Sequence, residues 1–339
     1  MSIRILQPGL LATIQDLGRF GSQKYGVIVG GAMDYLAVRI ANILVGNEEK
    51  EATIEITMFG TELQFEKECL IAITGGNLNP TIDGKKAPMW RPILIQKDEI
   101  LKFTSPISGC RAYVAFSGGL QVPEVMNSKS TYTQANIGGY KGRELRQGDV
   151  LYCGEVSERS EIFIHQLKEK KQPFHWSMNY ASFYTFQETE TIRILEGSEF
   201  NRFERDSQQS FLEEPYKITI NANRMGYQLE GAKLNLINQF ELLSEGVTYG
   251  TIQVPTNGQP IILMAERQTI GGYPKIGQVI SVDLPRLAQM QPGHSINFRT
   301  ISIAEAEELL LQQEREIHEF KMGIHFKVED IRRNKYENG

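Results

Sequence analysis

The sequence predicts a mainly β protein, with barrels or sandwiches in two related tandem domains and only a few short helices. Three observations carry this expectation. Short runs rich in Val, Ile, Phe and Thr, separated by Gly, Pro, Asn and Asp, dominate the chain. That punctuation belongs to antiparallel strands rather than to a parallel sheet wrapped by helices. Helical periodicity is confined to a few stretches. The third observation is repetition. Ile3-Arg4-Ile5-Leu6-Gln7-Pro8-Gly9 returns as Ile192-Arg193-Ile194-Leu195-Glu196-Gly197, Arg19-Phe20-Gly21 as Arg224-Met225-Gly226, and Gly31-Ala32 as Gly231-Ala232. Thr74-Gly75-Gly76 has a counterpart in Ile270-Gly271-Gly272, and 98–103 in 293–298. A spacing of about 190–205 residues far exceeds the 20–50 of solenoid repeats, so each copy is a whole domain. Two such copies commonly hold a ligand in the groove between them.

In chain order, strands are predicted at 52–57, 70–74, 93–95, 100–103 and 112–116, then at 191–195, 247–254 and 261–264. Asp83-Gly84 between Thr81-Ile82 and Lys85 marks a hairpin. The best helix covers 33–45, where Met33, Leu36, Ala37, Ile40, Ile43 and Leu44 recur at helical spacing and Gly46-Asn47 supplies the stop. A second covers 303–320. Ser302 and Glu305 have capping-box spacing, and Ala306, Leu309, Leu310, Ile317 and Phe320 form an apolar side expected to pack on the second domain. The charged tail beyond 321 reads as a docking arm or a frayed end. A polar stretch at 159–179, with helical potential at 161–170, precedes the second copy. The division is therefore 1–185, 186–303, and 304–339 for the terminal helix and tail.

Composition narrows the function classes. The 339 residues suffice for two domains with their own cores. A net charge of -5 and a pI near 5.7 argue against a nucleic-acid partner. No apolar run approaches the roughly 18–20 residues that cross a bilayer, and the N-terminus leads straight into a strand-like pattern without a signal peptide. Cys69, Cys110 and Cys153 form no C-x-x-C pair and read as buried free thiols, which fits a reducing cytoplasm.

Several chemistries are absent. There is no phosphate-loop motif and no G-x-S-x-G; Ser117 in Phe116-Ser117-Gly118-Gly119 lacks the nucleophile elbow. The five histidines are scattered, so no metal site is expected. What remains is a set of glycine-flanked polar clusters. Gln15-Asp16-Leu17-Gly18-Arg19-Phe20-Gly21 sets a carboxylate and a guanidinium in one loop. Gly30-Gly31-Ala32-Met33-Asp34 opens the first helix, where Asp34 is a base, a ligand contact or a partner of the positive helix end. Thr74-Gly75-Gly76-Asn77 is either an ordinary turn or a place for a ligand to approach the backbone. The densest cluster joins Gln253 to Glu266-Arg267-Gln268-Thr269-Ile270-Gly271-Gly272-Tyr273-Pro274-Lys275. It suits a small polar molecule, with Arg for a carboxylate and amide or hydroxyl for a carbonyl. A structural network at a barrel mouth is the alternative.

These clusters resemble one family. Its N-terminal signature is matched by 8–19, then by Gly31-Ala32-Met33-Asp34, Ala41-Asn42, Gly46-Asn47, Gly118-Gly119, Gly138-Gly139 and Gly142-Arg143. Arg224-Met225-Gly226, Ser244-Glu245-Gly246, Ile252-Gln253-Val254-Pro255, Arg267-Gln268-Thr269, Gly271-Gly272-Tyr273-Pro274 and Gln291-Pro292-Gly293 follow. The pattern is similar to the C subunit of bacterial 5-oxoprolinase, the KipA or allophanate-hydrolase-subunit-2 family, related to the carboxyltransferase half of urea carboxylase. It covers about 3–303. The resemblance implies two tandem cyclophilin-like β-barrel domains. It also implies a B subunit of KipI type and an A subunit, joined in ATP-dependent opening of 5-oxoproline to L-glutamate, with this chain inactive alone. The family often has Asp at the positions of Asn77 and Glu266. No Met-Lys-Met carrier signature occurs, so no biotin is expected on this chain.

On this basis Asp34, Glu266, Arg267 and Lys275 are the expected catalytic residues. Arg19, Gly75, Gly76, Asn77, Arg224, Gln253, Gln268 and Thr269 are expected to bind substrate. Arg267 or Lys275 would hold a carboxylate or phosphoryl group, Gln253 and Asn77 would orient the lactam, and Asp34 or Glu266 would handle protons. Two other functions share the resemblance. One is a binding protein that counteracts a KipI-type histidine-kinase inhibitor. The other is a carboxyltransferase acting on urea or a similar amide, with biotin supplied in trans.

Overall fold

The computed structural model describes residues 1–170, 172–238 and 242–337; Asn338 and Gly339 of the expected tail lie outside them. The chain forms two compact units, neither a continuous stretch. Unit 1 comprises Met1–Gly18, Asp34–Tyr184 and the chain from Glu314 onward; unit 2 comprises Arg19–Met33 and Thr185–Gln313. Residues 19–33 thus fold with the second copy, although a linear division assigns them to the first.

Unit 1 carries β1 (Ser2–Pro8), β2 (Leu11–Gln15), β3 (Thr53–Thr57), β4 (Thr61–Phe65), β5 (Cys69–Asn77) and β6 (Pro80–Ile82). There follow β7 (Lys85–Lys86), β8 (Pro92–Ile95), β9 (Ile100–Phe103), β10 (Ser108–Phe116) and β11 (Val150–Tyr152). They form two sheets, ordered β11-β1-β4-β9-β6-β7 and β2-β3-β10-β5-β8. Alternation explains the core. Ile3 and Ile5 of β1 point inward while Arg4 between them is exposed and pairs with Glu66. They join Ile54, Ile71, Phe103 and Phe116 in one cluster, each full burial contributing about 1.5–3 kcal/mol. The expected hairpin joins β6 to β7, with Asp83 and Gly84 both at positive φ (47° and 79°), as a tight two-residue turn requires. Helix α1 (Tyr35–Val45) lies on β5 and β10, and ends at Gly46 in the left-handed region. The helical potential at 161–170 becomes α2 (Glu158–Lys170). All three cysteines are buried, and none is in a disulfide.

Unit 2 contains β12 (Thr189–Glu196), β13 (Tyr216–Ile218), β14 (Gly226–Glu230), β15 (Glu245–Gly246) and β16 (Thr251–Gln253). It continues with β17 (Ile261–Leu263), β18 (Ile270–Gly271), β19 (Lys275–Val279) and β20 (Ser295–Thr300). Seven of these close a barrel in the order β12-β19-β16-β17-β14-β13-β20. The ends meet where β12 runs parallel to β20, Thr189 opposite Ser295 through Ile194 opposite Thr300. Ile192 and Ile194 are buried here as Ile3 and Ile5 are in unit 1, which is the physical content of the repeat. The expected strand at 247–254 shrinks to β16, because Thr251 N–H turns back to Thr248 O (3.2 Å) and Gly250 sits at φ 86°. The remaining helices include α3 (Arg205–Glu213) and α4 (Leu284–Ala288).

The terminal helix corrects two expectations. The last helix, α5, is continuous over Ile303–Glu337, so the chain past 321 is not a frayed end. The capping box forms, Ser302 N–H donating to Glu305 (2.7 Å) and Glu305 N–H to Ser302 Oγ (3.2 Å). Its buried apolar residues belong to unit 1 rather than to the second copy. Leu310 is exposed, whereas Ile317, Ile324 and Val328 are buried in the part that belongs to unit 1. There Glu314 takes both Arg39 Nη atoms (2.6 and 2.8 Å), and Lys321 donates to Glu49 (2.8 Å). These partners lie more than 270 residues away, beyond any local pattern.

Burial pushes the Glu49 carboxyl up, but hydrogen bonds from Lys321 and Arg39 outweigh it and hold the group below its ordinary value. A depressed carboxylate contributes fully above its unfolded pKa and is lost as pH falls through the folded one. Hydrogen exchange, corrected for intrinsic rates, is therefore expected to show α5 past Glu314 opening first as pH drops below about 4.5. Equal protection of that segment at pH 6 and pH 3 would exclude this tether.

Candidate functional site

The polar cluster of unit 2 is built on the ends of β14 and β17. Arg224, just before β14, donates Nε to Glu266 Oε1 (2.7 Å) and Nη2 to the Gly31 carbonyl (2.6 Å). Glu266 N–H returns to Arg224 O (2.7 Å). Both side chains are almost fully buried, at 8% and 7% exposure, so each charge needs the other. The segment 19–33 is fastened here a second time, by Tyr249 Oη donating to Met33 O (2.7 Å). Arg19 is wholly buried in the same unit, its N–H on Val29 O (2.7 Å).

Arg267 follows Glu266 but is treated differently. It is 8% exposed, yet among the described residues no carboxylate pairs with it. Nη1 donates a long bond to Met264 O (3.4 Å), Nε has no partner, and the guanidinium carbon stands 5.9 Å from the centre of the Tyr249 ring. Burial pulls its pKa below the ordinary arginine value, with the Tyr249 phenol acting in the opposite sense. An arginine stays charged, so a buried guanidinium without a counter-ion can accept an anion as its partner.

The other expected residues of this copy divide. Gln253 is buried opposite Lys275 in the β16–β19 register, its Nε2 donating to Tyr273 O (3.3 Å). Gly271 leaves room for that amide, since a Cβ there would lie 2.5 Å from Nε2. The Lys275 ammonium is taken by Glu245 (2.5 Å), with Glu199 at 3.8 Å, so its charge is already matched. Gln268 is exposed. Thr269 is half-buried and its carbonyl accepts from Val247 N–H (3.2 Å). Lys275, Gln268 and Thr269 therefore do not share the surroundings of Arg267.

Asp34, Gly75, Gly76 and Asn77 belong to unit 1. Asp34 is the N-cap of α1, accepting from Ala37 N–H (2.9 Å), and the Tyr184 hydroxyl donates to its carboxylate (2.8 and 2.9 Å to the two oxygens). Its own N–H donates to Tyr113 Oη (2.8 Å), which in turn donates to Glu55 (2.8 Å). Burial first, and the neighbouring carboxylates second, push both phenols well above their ordinary pKa. Thr74 Oγ1 donates to Ala37 O (2.8 Å), joining the glycine turn to the same first turn of α1. Gly75 adopts φ 80° where β5 and β10 slip register, and Asn77 Oδ1 accepts from Asn79 N–H (2.9 Å) as an ordinary turn. The Asp16 carboxylate is taken up by Gly18 N–H (2.8 Å), Lys129 N–H (2.6 Å) and the Ser128 and Ser130 hydroxyls. Tyr184→Phe is expected to lower stability by about 1.5–3 kcal/mol, the range for a hydrogen bond to a charged group. Urea denaturation checks this, and an unchanged midpoint would discard the cross-link.

Sequence patterns missed Tyr249, Tyr113, Glu55 and Tyr184. Glu55 had a signal: it lies between Ile54 and Ile56 in a strand flanked on both sides, where an acid needs a partner. The tyrosines had none. Among the described residues no group of three or more His, Cys, Asp or Glu is placed to hold a metal, and no helix is long and apolar enough to cross a membrane.

Comparison with known proteins agrees with this architecture. A family model described as "Carboxyltransferase domain, subdomain A and B" matches residues 25–300. The chain is 38% identical over 313 residues to the 5-oxoprolinase C subunit of Haemophilus influenzae, covering 92% of this chain and 95% of that one. It is 36% identical over 324 residues to the Escherichia coli protein of the same name, covering 95% and 99%. The crystal structure of the K. lactis urea amidolyase superposes with a TM-score of 0.85 at 28% identity, over 94% of this chain but only 20% of that much longer one. With four-fifths of its length inside the family match and near-complete coverage of two relatives, the chain belongs to the carboxyltransferase-domain family of subdomains A and B, the family of the 5-oxoprolinase C subunit.

Proposed function

We propose that this chain is the C subunit of an ATP-dependent 5-oxoprolinase, acting with the A and B subunits in opening 5-oxoproline to L-glutamate. The observation that carries the reading is Arg267, a buried guanidinium with no carboxylate partner among the described residues. 5-Oxoproline brings one carboxylate and one lactam. The fork of Arg267 suits the carboxylate, and the Gln253 amide, held by Tyr273 O, suits the lactam. Proton transfer is assigned to Glu266, oriented by Arg224, rather than to Asp34, whose oxygens are engaged by Tyr184 and Ala37. ATP, at the level of the complex, supplies the activation that lets water attack a resonance-stabilised lactam. This chain has no phosphate-loop motif, so the nucleotide pocket is assigned to the assembled enzyme, and the reaction is expected in the cytoplasm.

The test is release of glutamate from labelled 5-oxoproline by this chain mixed with its A and B partners. ATP-dependent turnover that needs all three is the expected result. Absence of turnover, while the same partners are active with the Escherichia coli protein, would end the reading. The likeness to urea amidolyase favours a second one, carboxyl transfer to urea or a similar amide with biotin supplied in trans. Inhibition by avidin would support that alternative, and indifference to avidin would remove it.

A further inference from the structure

Arg267 lies beside a tyrosine that is fixed at its backbone and at its hydroxyl. The Tyr249 carbonyl accepts from Gln278 Nε2 (2.8 Å), and its hydroxyl reaches Met33 O (2.7 Å). The next residue, Gly250, is at φ 86°, where a Cβ would lie 2.8 Å from Leu284 and 3.0 Å from Gln278. A side chain at 250 is thus excluded, and the chain beside Tyr249 takes a left-handed turn that glycine allows. The ring is half-buried, and its centre lies 5.9 Å from the guanidinium carbon. Without an acidic partner among the described residues, the π-face of this ring and the long bond to Met264 O are what hold the cation. Nε is buried without a partner, so the guanidinium meets an incoming acceptor through its Nη groups.

We propose that Tyr249 is a positioning residue that holds the Arg267 fork for one planar carboxylate, so that the protein selects an acid over the matching carboxamide. This rests on the assignment of Arg267 to the substrate carboxylate. A guanidinium held in one plane presents two parallel donors to the two acceptor oxygens of a carboxylate, whereas a neutral carboxamide offers one acceptor and turns an NH2 donor toward the second.

The experiment compares kcat/KM for 5-oxoproline and its carboxamide in the assembled complex. The forms are wild type, Tyr249→Phe, Tyr249→Leu, Arg267→Ala and the Tyr249→Leu/Arg267→Ala double variant, with thermal midpoints to confirm folding. Tyr249→Leu is expected to raise KM for 5-oxoproline about tenfold with kcat within about twofold, and to cut the acid-over-amide preference by a similar factor. Tyr249→Phe keeps the ring and should raise KM only about two- to threefold. In the Arg267→Ala background Tyr249→Leu should change nothing further. An unaltered preference in Tyr249→Leu, or the same loss in both backgrounds, overturns the role of Tyr249 alone. An unaltered preference in Arg267→Ala instead overturns the assignment beneath it. Should Tyr249→Leu fail to assemble, Tyr249→Phe decides, and no rise in KM counts against the proposal.

Discussion

Arg267→Met is expected to leave the protein more stable and its complex nearly inactive. The guanidinium is 8% exposed, has no acidic partner among the described residues, and keeps a buried Nε unbonded. Such a charge is costly to bury, and an apolar chain of similar length removes that cost while filling the same space. A gain of about 1 kcal/mol is expected, as when other strained functional groups are neutralised. The loss on the functional side is larger. Two charge-assisted bonds to a carboxylate are worth about 3 kcal/mol, or about 100-fold in kcat/KM for 5-oxoproline. Thermal melting and steady-state turnover check the two halves separately. A fall of several degrees in the melting midpoint would show that Arg267 holds the fold, and the anion site would be withdrawn.

Asp283→Ala should have the largest effect on stability. Asp283 is fully buried and accepts from Arg193 N–H (2.7 Å), Nε (3.0 Å) and Nη2 (2.5 Å), with Arg286 Nη1 at 3.5 Å. Arg286 also pairs with Glu190, which is 3% exposed. Arg193 lies on β12, the strand that closes the barrel against β19 and β20. Deleting this fully buried carboxylate leaves two half-buried arginines without their shared acceptor at that closure, a change that costs about 3–5 kcal/mol. Asp283→Asn, which keeps an acceptor, should cost less. Urea denaturation with an unchanged m-value is the measurement. A loss below about 1 kcal/mol for the alanine variant would mean that water reaches the network and shares its charge.

The contrast between these sites shows what was legible beforehand. The core strands were, because Ile3 and Ile5, or Ile192 and Ile194, alternate with polar neighbours at the period of a pleat. Helix α1 was, since its apolar residues recur at helical spacing and Gly46 stops it. Asp34 in front of it is a residue type that caps helices, and it does so. The turn at Asp83-Gly84 was legible for the same local reason. At 247–254 local pattern overreached, because β-branched residues around Gly250 served a turn as well as a strand. The reach of α5 was underread, although Ile317, Ile324 and Val328 continue its apolar spacing.

By itself, then, the chain determined its strands, its family, and which stretches are too polar and glycine-rich to be core. Those properties depend on hydrophobic period and turn chemistry, which neighbours in sequence share. Only the tertiary structure decided which charges are matched. Lys275 and Arg267 look equivalent as sequence, yet Glu245 neutralises one and a tyrosine ring supports the other. The physical reason is that an ion pair or a ring contact leaves no mark on its neighbours in sequence. Such a contact is made only when folding brings distant segments together, Tyr249 to Met33 across 216 positions and Tyr184 to Asp34 across 150.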